Sequence, residues 1–479
     1  MPRPAVLQPE ASSFVTECEI PDLPGVDKSA TKFYKVTVSK NTTQILPGVD
    51  TEIWGYEGLY PGPTIKVKRG EPAIVRFIND LSVELTVHNH GGHQSSVADG
   101  FPSDLILPGQ FKDYCYPNIS PVERDSSGVL LNTDSDFTST QWYHDHAVDI
   151  TGQNVYMGLA GFYLLSDDLE DGLINTGVLP GGEFDVPMVI QDRRFAADGS
   201  LVYRPEEDNF DGWLGDVFVV NGKAQPKFHV RRRKYRFRIL NGANARWMEL
   251  RLNRGRFLQI GNDSWLLDHA IARDTLRLSP AERAEVIIDF RDAPAEVFLE
   301  NILEMKDGRR PEDDLLKKGV PLVKFIVDQQ EEPVDNATLQ EGQTLRPHTP
   351  IREDEIVKTR TFKFDRRKGA WAINGEHFDP GRDDATPKLG TAERWILKNS
   401  SGGWAHPIHI HLEGQQVQKI NGSPPLPQDS FKKDTIQLGP NDEAEVFIKF
   451  RTFEGRFVFH CHNLEHEDSF MMGKFNVKP

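Results

Sequence analysis

The sequence predicts an all-β protein built from three Greek-key β-sandwich units in series, and three observations carry that prediction. An alternating strand closed by Asn and small polar residues occurs once in each third of the chain: "AIVRFIND" at 73–80, "KYRFRILNGA" at 234–243 and "AERWILKNSS" at 392–401. A second strand follows a Leu-x-Pro or Leu-Gly-Pro turn in each third, in "LILPGQFKDYCYPN", "LRLSPAERAEVIIDF" and "IQLGPNDEAEVFIKF". Period-two alternation bounded by turn residues is the signature of half-buried strands, and its return at long intervals marks repeated units. Helical periodicity is scarce, with short helices expected only at "LEDGLI" and "LEHEDSF".

Taken in order, the first unit runs over 1–168 and ends after "FYLLSDDLEDG"; the second covers 169–335. The third, 336–479, begins in the polar, Pro-bearing stretch "DQQEEPVDNATLQEGQTLRPHTP". A chain of 479 residues exceeds one compact domain, and 38% hydrophobic residues suffice for large cores. Lys+Arg 56 against Asp+Glu 72 leaves a net charge of −16, which argues against a nucleic-acid partner. No apolar run approaches the roughly 18 residues of a membrane span, and "MPRPAVLQPEASS" does not read as a signal peptide. N-x-S/T sequons at Asn41, Asn118, Asn262, Asn336, Asn399 and Asn421 would mark a secreted glycoprotein if used. Cys18 and Cys115, as a bridge, would fit the same oxidising compartment; as buried free thiols they would not. The expectation is a monomer, secreted or at the cell surface rather than cytoplasmic.

Chemistry concentrates at the chain's end in "RFVFHCHNLEHEDSFMM", residues 456–472. Phe457, Val458 and Phe459 read as a strand, so His460 and His462 face one way and Cys461 the other. A thiolate, two imidazoles and a distant thioether make a blue-copper ligand set, and His466 and Met471 follow Cys461 at suitable offsets. The opposite face then needs more imidazoles, and "TVHNHGG" (His88, His90), "WYHDHAV" (His144, His146) and "WAHPIHIHLEG" (His406, His409, His411) supply them. A lone H-x-H pair is usually an ordinary strand pair; four such clusters in one chain argue for metal. They lie only in the first and third units, so a shared centre falls at the interface of those units, around a ligand-free spacer.

These residues resemble the multicopper oxidases, in their three-domain branch with bilirubin oxidase and the spore-coat laccases. "YPGPTIKVKRG", "DGFPSD", "QWYHDHAVDIT", "RRKYRFRILNGA", "WAHPIHIHLE" and "FHCHNLEHED" carry the likeness over nearly the whole chain. The resemblance implies three cupredoxin-like domains and four copper ions: one type 1, one type 2 and a type 3 pair. It places His406, Cys461 and His466 on type 1 with Met471 axial, and His88 and His409 on type 2. His90, His144, His146, His411, His460 and His462 match type 3. Met472 lies one residue beyond the axial spacing and reads as core. An axial thioether implies a type 1 potential below the highest in the family, because it stabilises the oxidised metal.

The implied activity is one-electron oxidation of a small reducing substrate coupled to reduction of dioxygen to water. Asp99 and Glu467 match family acids that relay protons, although such groups often only hold ligands in place; Asp145 reads as structural. Trp404 resembles a wall of the substrate pocket, and phenols, aromatic amines and bilirubin-like tetrapyrroles are the leading donors. Ferrous, cuprous or manganous oxidation is the alternative, disfavoured for cuprous ion by only 7 Met and no Met-rich insert. A copper carrier without turnover would not need so complete a set of imidazoles.

Overall fold

Ala73–Asn79 forms a strand parallel to Lys32–Thr43 on one side and antiparallel to Phe111–Tyr116 on the other. The same placement recurs twice. Lys234–Asn241 lies parallel to Asp185–Arg193 and antiparallel to Arg283–Asp289, and Ala392–Asn399 lies parallel to Ile356–Arg367 and antiparallel to Glu443–Lys449. The repeat seen in the sequence therefore marks one topological position, used three times. This computed structural model describes residues 1–124, 127, 130–132, 137–208, 210–331 and 337–479. The expected second boundary near 335, and Asn336, lie outside the described residues.

Strands between 32 and 166 form two four-stranded sheets and a two-stranded pair, Val122–Arg124 with Leu130–Asn132, those between 185 and 331 a seven- and a five-stranded sheet, and those between 356 and 477 a six- and a four-stranded sheet. Each group encloses its own apolar cluster. Tyr56, Phe77 and Val87 belong to the first, Ile239, Val286 and Phe325 to the second, and Trp395, Ile408 and Phe459 to the third. Each fully buried Val, Ile or Phe contributes about 1.5–3 kcal/mol of transfer free energy, so a core of this size sustains a sandwich.

Both expected helices form, at Asp168–Asn175 and Leu464–Asp468. The first is capped by Asp167, whose side chain accepts from the Glu170 amide; the second is capped by Asn463, which accepts from His466. A third helix, Thr151–Met157, is not evident in the sequence, since its N-cap is Ile150 and carries no side-chain cap. Its N-terminal donors are met from afar: Asp468 accepts from the amides of Thr151 and Gly152 at 2.9 and 2.8 Å. In the first unit "LIL" makes only an isolated bridge, Leu85 to Ile106, where the other units have strands at Thr275–Leu278 and Thr435–Leu438.

Cys18 and Cys115 are joined in a disulfide that ties the N-terminal arm to the strand Phe111–Tyr116. Of the sequons, Asn118, Asn262 and Asn399 are buried, and each donates its side-chain amide to a backbone carbonyl, so a glycan there has no room. Asn41 and Asn421 are exposed. Among the described residues no helix is long and apolar enough to cross a membrane.

Candidate metal centre

Strand register brings the histidines together. In the first unit Val87–His90 pairs antiparallel with Thr140–Asp145, setting His88 opposite His144. In the third unit His406–Ile410 pairs with Gly455–Cys461, setting His409 opposite His460. The faces carrying these pairs meet, and His88, His90, His144, His146, His409, His411, His460 and His462 surround one pocket, each at most 1% exposed. The strand alternation expected at the C-terminus holds. Cys461 turns away from its neighbours toward His406 and His466, with Sγ 3.3 and 3.5 Å from their Nδ1 atoms.

Counting protons on the rings shows what this pocket requires. A backbone carbonyl can only accept, so a ring nitrogen beside one carries the hydrogen, and the other nitrogen is left with a bare lone pair. His88 donates from Nδ1 to the Asp99 carbonyl at 2.6 Å, His144 to Asp145 at 2.7 Å and His409 to Asp434 at 2.7 Å. The lone pairs of His88 Nε2 and His409 Nε2 then face each other at 3.4 Å. Carboxylates fix other rings in the same way: Asp99 Oδ2 lies 2.7 Å from His411 Nδ1, and Asp434 Oδ1 3.1 Å from His90 Nε2. Glu467 lies against two more rings, with Oε1 3.1 Å from His146 Nδ1 and Oε2 2.9 Å from His460 Nδ1, whose hydrogen goes to the Cys461 carbonyl at 3.1 Å.

What remains is a set of inward-facing lone pairs with no hydrogen between them. His146 Nε2 and His411 Nε2 stand 3.1 and 3.3 Å from His460 Nε2. His90 Nδ1, His144 Nε2 and both nitrogens of His462 are buried without a hydrogen-bond partner. Bare lone pairs at such distances repel unless a cation sits among them, so the donor set fits bound metal ions. Burial lowers the proton affinity of His90, His144, His146, His411 and His462, to about 3 for His144, which keeps them neutral and ready to ligate. Trp142, itself buried, stacks on His144 with centroids 4.2 Å apart and forms one wall.

The second cluster is smaller. His406 Nδ1 and His466 Nδ1 are 3.1 Å apart beside Cys461 Sγ. His466 donates from Nε2 to the Asp211 carbonyl at 3.0 Å, and His406 Nε2 shares a hydrogen bond of 2.8 Å with the Ser401 hydroxyl. Met471 is buried in the same apolar cluster as Cys461, and its carbonyl accepts the Cys461 amide. Met472 packs elsewhere, with Phe101 and Val458, as a core residue. Burial pushes the Cys461 thiol well up, so thiolate forms there only with a cation to offset it.

Asp145, which the sequence marks for a structural or electrostatic part, lies between His144 and His146. Its carboxylate accepts from the amides of Thr86 and Ala147 and from Asn154, and burial raises its pKa to about 7. Three partners of the rings escaped the sequence reading: Asp434, Asp211 and Ser401. Asp434 is 344 residues from His90 and Asp211 255 from His466, so no local spacing reveals them. Trp404, half-buried, donates from Nε1 to Asp211 Oδ1 at 3.0 Å, and the guanidiniums of Arg309 and Arg366 each lie 5.1 Å from its ring.

Comparison with known proteins agrees with this chemistry. Family models described as "Multicopper oxidase" match residues 37–122 and 349–479. A bilirubin oxidase of Albifimbria verrucaria is 36% identical over 93% of this chain and 76% of its own length. A laccase of Bacillus subtilis (strain 168) is 32% identical over 97% of this chain and 98% of its own. A crystal structure of a multi-copper oxidase from Pediococcus acidilactici superposes with a TM-score of 0.82 at 29% identity, covering 100% of this chain and 91% of that one.

Proposed function

Because this chain belongs to the multicopper oxidase family, we propose that it is an oxidase coupling one-electron oxidation of phenolic, aromatic amine or bilirubin-like donors to reduction of dioxygen to water. The observation that carries the reading is the convergence of unprotonated imidazole nitrogens from both ends of the chain on one buried pocket, with Cys461 bridging to a second. His406, Cys461 and His466 would hold the type 1 copper with Met471 axial. His88 and His409 would hold type 2 through Nε2. One type 3 copper falls to His146, His411 and His460, the other to His90, His144 and His462. When bound, copper supplies the single-electron redox changes and the centre at which dioxygen is reduced.

The chain's own residues supply the rest. Cys461 is covalently joined to His460 and His462, so the two ligand sets share one continuous peptide. Asp99 holds the outer nitrogen of His411 and Glu467 lies beside those of His146 and His460, and they are the carboxylates placed to pass protons inward. An electron donor approaches at the edge formed by Ser401, the exposed Gly402 and Gly403, and Trp404. Arg309 and Arg366 flank that edge and share the single carboxylate of Asp211, and the positive excess suits an aromatic donor bearing carboxylates better than a metal cation. The three-domain division at 168 and 335 is part of this reading.

Oxygen uptake with a phenolic donor tests it. Copper-loaded protein should consume one dioxygen for every four donor electrons and release no hydrogen peroxide. Peroxide as the product, or no uptake by the fully loaded chain, would refute the reading.

A further inference from the structure

The middle unit contributes no ligand, yet one of its arginines reaches the back of the eight-histidine pocket. Arg283, at the start of the strand Arg283–Asp289, is fully buried. Its Nη1 donates to Asp434 Oδ1 at 2.7 Å and its Nη2 to Asp434 Oδ2, the paired fork geometry of a strong guanidinium–carboxylate contact. Asp434 in turn faces His90 Nε2 with its carboxylate and accepts His409 Nδ1 with its carbonyl. One residue thus orients a ring of the type 3 set and a ring of the type 2 pair.

The surroundings fix Arg283 itself. Its Nε donates to the Thr140 carbonyl at 3.3 Å, Nη1 also to the Ala281 carbonyl at 3.0 Å, and Nη2 also to the Ser264 hydroxyl. Its amide donates to Asp263 Oδ1, while Asp263 Oδ2 accepts the amides of Asp434 and Thr435 at 3.0 and 3.2 Å. Two side chains of the middle unit, Arg283 and Asp263, therefore grip the carboxylate and the backbone amides of the same short segment of the third unit. The first unit is fitted around the grip as well. Gly91, next to His90, has φ +83°, and a Cβ there would lie 2.7 Å from Arg283 Nη2 and 2.9 Å from Asp434 Oδ2.

We propose that Arg283 is a positioning residue for the copper cluster: it holds Asp434 so that His90 presents Nδ1 and His409 presents Nε2 to the metals. The inference rests on the copper reading above. A carboxylate left in this pocket without its guanidinium would be free to turn away from His90, and a ring with the wrong nitrogen inward cannot ligate. Lysine offers one compact charge in place of a planar fork, so Arg283→Lys keeps the charge and loses the geometry.

The test compares copper retention in the full chain for wild type, Arg283→Lys, Asp434→Asn and Arg236→Lys. Arg236 is an equally buried arginine of the middle unit whose partners are Glu170 and Glu285, not the ligand-bearing strands. Each protein is loaded with copper, titrated with a chelator, and followed by copper content, the blue type 1 absorption and the type 2 electron paramagnetic resonance signal. Arg283→Lys and Asp434→Asn should keep the type 1 colour, lose cluster copper at about 10–100-fold lower chelator concentration, and alter the type 2 signal. Arg236→Lys should match wild type. Cluster affinity within about twofold of wild type in Arg283→Lys, with an unchanged type 2 signal, overturns the proposal. So does an equal loss in Arg236→Lys, which would make the effect one of general stability. If Arg283→Lys does not fold, Asp434→Asn decides by the same readouts. A wild-type chain that takes up no cluster copper overturns this proposal and the copper reading together.

Discussion

Both metal pockets hold rings on backbone carbonyls, but only the larger one adds carboxylates behind them. At the Cys461 pocket the outer nitrogens of His406 and His466 meet a hydroxyl and a backbone carbonyl, both uncharged. At the eight-histidine pocket Asp99, Glu467 and Asp434 stand behind four of the rings. Neutral dipoles orient a ring without offering a proton acceptor, which suits a site that trades only electrons. Anions behind imidazoles make the rings better donors, offset cationic metal charge in a dry pocket and can carry protons. The division matches a reaction in which electrons enter at one place and protons are consumed at another.

Removing Cys461 breaks the comparison most severely. Cys461→Ser should abolish the blue colour and phenol oxidation while the eight-histidine pocket still binds its copper. Absorption spectra and copper counting check this, and retained colour would refute the mononuclear assignment. Copper lost from both pockets would show that they do not load independently.

Acid exposes the next difference, in the copper-free chain. Burial lowers nine of the ten clustered histidines below the usual imidazole value. An unfolded chain therefore binds more protons than the fold once the pH drops under about 6.5. The stability these rings contribute is complete above that pH and drains away as it falls toward about 3, the value for His144 and His406. For His144 and His406 the difference is on the order of a few kcal/mol across this range. Asp145, raised to about 7, works the other way, and so do Asp263, Glu413, Glu465 and Asp468, each raised by burial, so these carboxylates offset part of the loss. The melting temperature of the copper-free chain should fall steeply from pH 6.5 to 4, and bound copper should delay the fall. The two pockets should also separate. His406 is held down by burial alone, whereas Asp99 opposes the lowering at His411, so a proton should reach His411 first in an NMR titration.

Neutralising one anion asks whether charge or shape matters at the larger pocket. Glu467→Gln and Asp99→Asn preserve size and some hydrogen bonding. They should lower kcat about 10–100-fold and shift its pH profile, with the blue colour and the rate of type 1 reduction unchanged. A slowed type 1 reduction would place these acids on the electron path and erase the contrast between the pockets.

The same contrast separates what the sequence reveals from what it conceals. The ligands are legible because H-x-H on a strand puts both rings on one face, and because Cys461 between His460 and His462 must point to the other. The three-fold repeat is legible because alternation survives in each copy. Of the groups behind the rings, Asp99 and Glu467 are legible through their motifs, whereas Asp434 and Asp211 are hidden, since they reach His90 and His466 across hundreds of residues and carry no motif of their own. The helix Thr151–Met157 is hidden for the same reason, its N-terminal donors being met by Asp468 from the far end of the chain. Sequons mislead differently: Asn118, Asn262 and Asn399 match the pattern while spending their amides inside the fold.

The smallest expected effect lies at the neutral pocket. Ser401 is half-buried, so in Ser401→Ala a water can replace the hydroxyl beside His406 Nε2, and the net loss should stay near the ~1 kcal/mol of an ordinary hydrogen bond. The blue colour should persist, phenol oxidation should change by no more than about tenfold, and its pH profile should stay where it is. Replacement by Asp puts a charge where the fold has a dipole. If Ser401→Asp left the type 1 reduction potential unmoved, charge behind a ring would not tune the metal it holds, and the distinction between the two pockets would be one of packing alone. A potential lowered in Ser401→Asp and nearly unchanged in Ser401→Ala is the result expected from the electrostatics, because an anion stabilises the oxidised metal and a dipole replaced by water does not.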